Sequence, residues 1–332
     1  VYKMYVMTSK IVFPKWQDNN GLPLTIYKCS SVFISKSFKQ NTQFAEITLP
    51  RNVRFFDKHA VRDLFRKGDE VIINLGYDSL FKEEFRGYIT QIGADIPLVL
   101  KLEDEMYKIK RIPVNFSAKN ITLSDLWKSL LKGHDYKVDA LEVKLGDIRF
   151  AKTTIAEVIE QLKSTFNIYT YYQNGVLYSG KYYTGENSNI VNRFNLERNV
   201  VSNALNYKRK EDVIVKIDAR SILADGKKIE FSLGEDGGDR LKLDYFNITL
   251  KAELEKKVKQ DYENYKRGGF DGSFTAFGIP SVDFGEKAAI ESIVYPERNG
   301  EYYIASVEKE FSKEGYRQII KLDGTAKLEG NG

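Results

Sequence analysis

The sequence has one cysteine, Cys29, among 332 residues. That excludes an internal disulfide and fits a chain folded in a reducing compartment. Its two histidines, His59 and His134, stand far apart, and neither sits in an HExxH pattern. With a single thiol they exclude the usual zinc sites, and each reads as a surface or capping residue. No apolar run approaches the ~20 residues of a membrane-spanning helix. The opening VYKMYVMTSKIVF is broken by lysines and lacks the apolar core of a signal peptide. There is no GxxxxGK[ST], no GxGxxG between a strand and a helix, and no GxSxG elbow. GEDGGDR (234–240) lacks the alternating ligands and distant glutamate of a calcium loop and reads as a solvated turn. A surplus of one charge sign is missing too: 51 basic residues face 46 acidic ones. The basic stretches NYKRKED (206–212) and NYKRGG (264–269) are too short for a nucleic-acid groove. No Asp or Glu stands out as half of a catalytic pair. The chain therefore reads as non-enzymatic, with no cofactor and no metal.

Aromatic residues are abundant. Twenty-one tyrosines and 20 phenylalanines tilt the reading toward β-structure and protein–protein surfaces. Alternating apolar residues predict strands in SSVFISKSF (30–38), FAEITLP (44–50), GDEVIINLGY (68–77), EFRGYITQI (84–92) and PLVLKLED (97–104), with a helix at 57–65. The middle third changes period. Leu123, Leu126, Trp127, Leu130 and Leu131 form one helix face, with Thr122 as N-cap and Gly133 beyond the end. Thr154 and Glu157 match a capping box, followed by the stripe Ile155, Val158, Ile159 and Leu162. Asn174-Gly175 predicts a tight hairpin. Alternation returns at DVIVKIDARSI (212–222) and KKIEFSLG (227–234), which flank Asp225-Gly226. A charged helix at 249–266 follows, with Leu250, Leu254 and Val258 as its apolar edge. The glycines of GGFDGSFTAFGIPSVDFG read as turns and strand starts.

Two segments share one plan. Gly68–Asp104 and Gly285–Gly324 each begin with Gly and an acid. Each then runs through a strand to a Tyr, an aromatic-Ile step (Tyr88-Ile89, Tyr303-Ile304) and a closing strand, LVLKLED or QIIKLDG. Low identity leaves two explanations, a duplicated β-domain or convergence on a generic three-strand pattern. The fold class expected is mainly β with an α+β insertion. Two related tube-forming barrels would occupy 1–112 and 200–332, with an α/β region of two helices and a hairpin at 113–199.

The order of segments resembles the tail-hub proteins of contractile phages, of the late-control protein D type, which are related to the hub module of type VI secretion spikes. FRGYITQIGADIPLVLKLED carries the resemblance with Gly87 and Tyr88. TTIAEVIEQLKSTFNIYTYYQNGVLYSG matches the mid-chain helix and hairpin. GSFTAFGIPSVDFGEKAAI supplies G-x-P-x-x-x-x-G with Gly278, Pro280 and Gly285. EYYIASVEKEFSKEGYRQIIKLDG supplies the closing strands with Tyr303 and Gly315. The resemblance implies a homotrimer whose six similar barrels surround a channel and join a hexameric tail tube protein to a central spike protein. Other baseplate proteins are further expected partners. It implies no cofactor, no nucleic-acid sequence recognition, and synthesis in the bacterial cytoplasm before assembly into a particle. The polar ending KLDGTAKLEGNG implies a separate spike, and the compact middle leaves no room for a lysozyme-like insertion.

Two other classes stay open on the sequence. A carbohydrate-binding or adhesin module would suit the tyrosines, although stacking platforms favour tryptophan and only Trp16 and Trp127 are available. A carboxylate-based glycan hydrolase would need two acids in one cleft.

Overall fold

The computed structural model describes residues 5–15, 22–50, 64–94, 97–180, 189–223, 227–246, 248–266 and 268–328. The first half is antiparallel throughout. It comprises β1 (Met7–Phe13), β2 (Leu24–Ile26), β3 (Ser31–Ser37), β4 (Phe44–Leu49), β5 (Glu70–Tyr77), β6 (Leu80–Ile92) and β7 (Leu98–Glu103), paired in the order β2-β1-β5-β6-β7-β4-β3. Its strands form because one face alternates apolar. Val71, Ile73 and Leu75 of β5 point into a core with Ile34, Ile47 and Leu100, each contributing about 1.5–3 kcal/mol by burial. The expected helix at 57–65 lies outside the described residues apart from Leu64 and Phe65, and these two join the core.

A second core fills the middle third. It is built from α1 (Met106–Ile109), β8 (Pro113–Thr122), α2 (Leu123–Leu130), β9 (Lys137–Ala140), β10 (Lys144–Thr154), α3 (Ile155–Phe166), β11 (Tyr169–Gln173) and β12 (Val176–Gly180). Thr122 caps α2 by accepting from the Asp125 N–H at 3.1 Å, and Leu123, Leu126 and Trp127 are buried. The capping box at Thr154 does not form, since its side chain makes no cap hydrogen bond. The first-turn donors are taken instead by main chain, Ile155 N–H to Ile112 O and Ala156 N–H to Lys110 O. Asn174 and Gly175 both have positive φ, 51° and 83°, as the two-residue turn between β11 and β12 requires.

The second half contains β13 (Val191–Asn195), β14 (Val200–Lys208), β15 (Val215–Ile222), β16 (Lys228–Gly234), β17 (Asp239–Phe246), α4 (Lys251–Tyr265), β18 (Gly269–Phe277), β19 (Lys287–Glu291), β20 (Gly300–Ser312) and β21 (Gly315–Leu328). Residues 213–265 depart from the expected second barrel. β15, β16 and β17 form a separate three-stranded sheet with β17 parallel to β15. α4 packs Leu254 and Val258 onto this sheet, with their own small core. Leu250 precedes the helix and stays exposed. The unit is inserted between β14 and β18, which pair with each other. Gly272 is not a turn but lies inside β18 at φ +118°, where a Cβ would meet Ala204 O at 2.3 Å. The Asp225-Gly226 turn lies outside the described residues.

The two β halves are not separate sheets. β20 pairs with β19 along its first residues, with β21 along its length, and with β3 from Ser306 to Ser312. A single 13-stranded sheet therefore runs through both halves. The repeat read in the sequence has matching geometry. β5-β6-β7 and β19-β20-β21 are both antiparallel meanders around a 13-residue central strand. In the first, Gly68 N–H donates to Ile89 O and Ile89 N–H to Asp69 O. In the second, Gly285 N–H donates to Ile304 O and Ile304 N–H to Glu286 O. Gly68 and Gly285 share a left-handed φ, +93° and +84°, which a side chain rarely adopts. The Gly-acid start is thus a main-chain clamp on the central strand.

Candidate functional site: a buried charged joint between the two β halves

β20 carries Val307, Lys309 and Phe311 on one inward face, so strand alternation alone buries a lysine there. Its partner comes from β6. A bulge opposite Ile73 and Asn74 skips Glu84 in the pairing with β5, and Glu84 is buried beside Phe85. The two side chains form an ion pair that is almost wholly removed from solvent. Lys309 also donates to Ser281 Oγ at 2.8 Å, and the Tyr316 hydroxyl donates to Glu84 Oε1 at 3.0 Å. A second pair, Lys36 to Asp283 at 2.8 Å, ties β3 to the same connection between β18 and β19. Gln318 holds that connection from β21, donating to Phe277 O at 2.8 Å and to Pro280 O while accepting from Val282 N–H.

Charge balance explains why this cluster can be buried. Burial pushes the Glu84 carboxyl up, but the Lys309 ammonium beside it more than offsets this and holds it below its ordinary value. Asp283 follows the same logic with Lys36 and Lys309. Lys36 is raised, because Asp283 outweighs the loss of solvent. The Tyr316 hydroxyl is pushed well up by burial and by the Glu84 charge, so it remains a donor. An arrangement of this kind has no exposed nucleophile or free base. What it can do is fix the position of one β half on the other, because unpairing any member strands a charge in the interior.

A second joint ties the first half to the middle unit. Glu105 accepts from the hydroxyls of Tyr88 at 2.7 Å and Tyr136 at 2.9 Å, while Lys108 sits 3.9 Å over the Tyr88 ring. Next to it Asp104 is buried. Its Oδ1 accepts from Met106 N–H at 3.1 Å, and its Oδ2 has no hydrogen-bond partner among the described residues. Burial, reinforced by the neighbouring Glu103 and opposed by Lys110, pushes its carboxyl up to about 7 from an ordinary 3.8. A folded value above the unfolded one means that stability is full below pH 4 and is lost as pH rises through 7, by about 4 kcal/mol at most. Asp104→Asn is expected to remove this dependence, adding about 1–3 kcal/mol at pH 8 and little at pH 4. Urea unfolding at the two pH values checks this, and equal slopes of stability against pH for both chains would refute it.

The resemblance-derived positions fall unevenly. Gly278, Pro280 and Gly285 delimit the connection that carries Ser281 and Asp283, and Gly315 (φ +128°) turns β20 into β21 just before Tyr316. These four converge on the joint. Gly87 lies on β6, where a Cβ would meet Glu103 O at 2.1 Å, so it allows β7 to approach closely. Tyr88 belongs to the second joint. Tyr303 is half-buried with Lys287 5.5 Å from its ring and lies away from both joints. Sequence reasoning missed Glu84, Lys309, Lys36, Asp283 and Gln318. Of these only Lys309 leaves a local trace, as a lysine inside an apolar alternation. His134 is exposed and stacks beside Tyr136, and His59 lies outside the described residues. Among the described residues no group of three or more His, Cys, Asp or Glu could hold a metal ion, and no helix is long and apolar enough to cross a membrane.

No family model and no curated protein matches the sequence. Solved structures do match. The chain is similar to a tail protein from Neisseria meningitidis MC58, with 11% identity, TM-score 0.59, and 98% of each chain covered. It is also similar to the 43 kDa tail protein of prophage MuSo2 from Shewanella oneidensis, with 13% identity, TM-score 0.59, and coverage of 95% of this chain and 97% of that one. A third match is an E. coli component of the type VI secretion system, described as structurally similar to the T4 bacteriophage tail proteins gp27 and gp5. It is 9% identical with TM-score 0.55, covering 90% of this chain and 73% of that one. This mainly β chain therefore has the fold of phage tail proteins and of a type VI secretion component.

Proposed function

We propose that the chain is a non-enzymatic structural hub of a contractile tail or injection machine. In this reading three copies form a ring, and the two β halves of each copy present six near-equivalent surfaces to a hexameric tail tube. The opposite face holds a separate spike protein. The observation that carries the reading is the pair of matching meanders, each clamped by a Gly-acid start and locked to the other by the buried Lys309–Glu84 ion pair. A threefold body that must mate with a sixfold one needs two similar units held at a constant angle, and a buried charged joint supplies that constancy. The proposed domain limits are 1–112, 113–199 and 200–332, with the middle unit as a spacer, except that β13 goes with the second half, where it pairs with β19. The chain would be made in the bacterial cytoplasm and built into a phage tail or injection particle. A sugar-stacking module finds less support, because Trp127 is fully buried in the middle core.

The mass of the purified chain in solution tests the reading. Light scattering, with and without the cognate spike protein, should give three times 38.2 kDa in at least one condition. A monomer in both would refute it.

A further inference from the structure

The two meanders correspond residue by residue, and the correspondence extends past them. Ile89 of β6 and Ile304 of β20 are the residues gripped by the two clamps. Just beyond each clamp the central strand bulges, between Ile89 and Gln91 and between Ile304 and Ser306. Past the bulge the rows match across four strands. Ile92, Leu100, Ile47 and Val32 lie side by side on β6, β7, β4 and β3. Val307, Ile320, Phe274 and Asn203 do the same on β20, β21, β18 and β14. β14 is therefore the counterpart of β3, as β6 is of β20.

The joint between the halves uses one strand of each kind. Past its bulge β20 leaves β19 and pairs with β3 instead, Ser306 to Ser312 against Ser37 to Ser31. The counterpart edges have no such partner. β6 pairs with β5 only as far as Tyr88, and beyond its bulge it has β7 on one side alone. β14 pairs only with β18. Among the described residues no strand covers either outer edge. Exposure follows. Val307 and Lys309 are buried at the joint, whereas their counterparts Ile92 and Ala94 are half-buried and exposed. On β14, Val201, Ser202, Asn203 and Ala204 are all exposed, so both faces of the strand meet solvent. An uncovered edge of this kind is a template for another strand.

We propose that β14 of one copy pairs antiparallel with residues 91–94 of a second copy, at the end of β6, repeating between chains the joint that β3 and β20 make within one. The registers of the internal joint carry over. Ser306–Ser37, Val307–Lys36 and Lys309–Ile34 become Gln91–Lys208, Ile92–Tyr207 and Ala94–Leu205 across the contact. Ile92 against Tyr207 is a favourable cross-strand pair, and Phe270 braces that tyrosine with ring centroids 5.3 Å apart. Ala94 takes the place of Lys309, so the contact between chains lacks the buried ion pair of the internal joint. An edge of one kind meets an edge of the other, so each copy keeps one edge for a further copy, and a closing rotation gives a ring. Three copies then contain six joints of one kind, alternating within and between chains. The second copy is the occupant because the chain already shows this pairing once in itself. This rests on the ring reading of the preceding section and names the strands that would build it.

Cysteine cross-linking in a Cys29→Ser background tests it, with light scattering to follow the ring, in the presence and absence of the spike protein. One chain carries Gln91→Cys with Lys208→Cys, another Ala94→Cys with Leu205→Cys. All these positions but Leu205 are exposed, and unchanged thermal unfolding verifies the fold. Opposed antiparallel residues alternate between Cα separations of about 5.5 and 4.5 Å, both within reach of a disulfide, and the two pairs are of opposite type. Under the condition where wild type forms its trimer, oxidation should link at least one of these chains into a covalent trimer. The single-cysteine chains should stay unlinked. Amide exchange gives a second readout, since residues 91–94 and 203–208 should exchange about tenfold or more slowly in the trimer than in the dilute monomer. A wild-type trimer with no cross-linked trimer and both edges exchanging as fast as in the monomer would overturn this contact while leaving the ring intact. Protection of β14 that appears only on adding the spike protein, with no cross-link, would assign the edge to that partner and overturn the contact as well. A wild type that is monomeric in every condition would overturn the ring and the contact together.

Discussion

Lys309→Met is expected to destabilise the chain by about 3–5 kcal/mol, the cost of leaving one member of a buried ion pair without its partner. Methionine fills nearly the same volume, so packing changes little and the loss is electrostatic. Glu84 would keep its bond from the Tyr316 hydroxyl but lose the ammonium that holds its carboxyl below the ordinary value. Without that charge, burial alone would push the carboxyl up. The variant should therefore be relatively more stable at pH 5 than at pH 8, the reverse of a simple acid-sensitive salt bridge. Adding Glu84→Leu should recover most of the loss, because a dry apolar pair replaces a stranded charge. Urea unfolding of the wild type, both single variants and the double variant gives the coupling energy. A Lys309→Met chain within about 0.5 kcal/mol of wild type would show that the pair does not hold the joint.

Gly278→Ala should be nearly as damaging, for a steric reason. A Cβ at this position would lie 2.1 Å and 2.2 Å from ring carbons of Tyr316, well inside van der Waals contact. The ring cannot retreat cheaply. It is buried, packs on Phe311 and Tyr77, and holds Glu84 through its hydroxyl. The connection would have to lift away, pulling Ser281 from Lys309 and Asp283 from Lys36. Overpacking a core typically costs about 1–3 kcal/mol. With the ion pairs disturbed as well, the expected loss is about 3 kcal/mol or more, accompanied by a weaker near-ultraviolet tyrosine signal. In a Tyr316→Leu background the same alanine should cost less than half as much, and an equal cost in both backgrounds would place the clash elsewhere.

Much of this architecture can be read locally. The alternation of Val71, Ile73 and Leu75, the helix face of Leu123, Leu126 and Trp127, and the Asn174-Gly175 turn each stand in the residues that form them. The repeat can be read as well, because Gly68 and Gly285 mark equivalent clamps. Other features need partners distant in sequence. Glu84 turns inward through a bulge that strict alternation cannot register. Thr154 looks like a cap until the carbonyls of Lys110 and Ile112 reach its helix first. The three-stranded sheet at 215–246 left a trace in Leu241, Leu243 and Tyr245, but nothing local says that β17 runs parallel to β15. Gly272 shows the ambiguity of glycine, which serves a close strand crossing as readily as a turn. The joint is the extreme case, since Lys309 and Glu84 are 225 residues apart on strands that are not neighbours in the sheet, β20 joining the first half through its pairing with β3.

That pairing sets the order in which the molecule can be completed during synthesis. Ser37 on β3 and Ala305 on β20 are bonded across 268 positions. At about 5–20 residues per second, a ribosome needs roughly 15–50 s to cover that distance. Throughout the interval the outer edge of β3 is a strand without its neighbour, and unpaired edges are templates for aggregation. The late C-terminal hairpin then closes the first half and finishes the second in one step, so a nascent chain stopped before β20 would leave both halves unfinished.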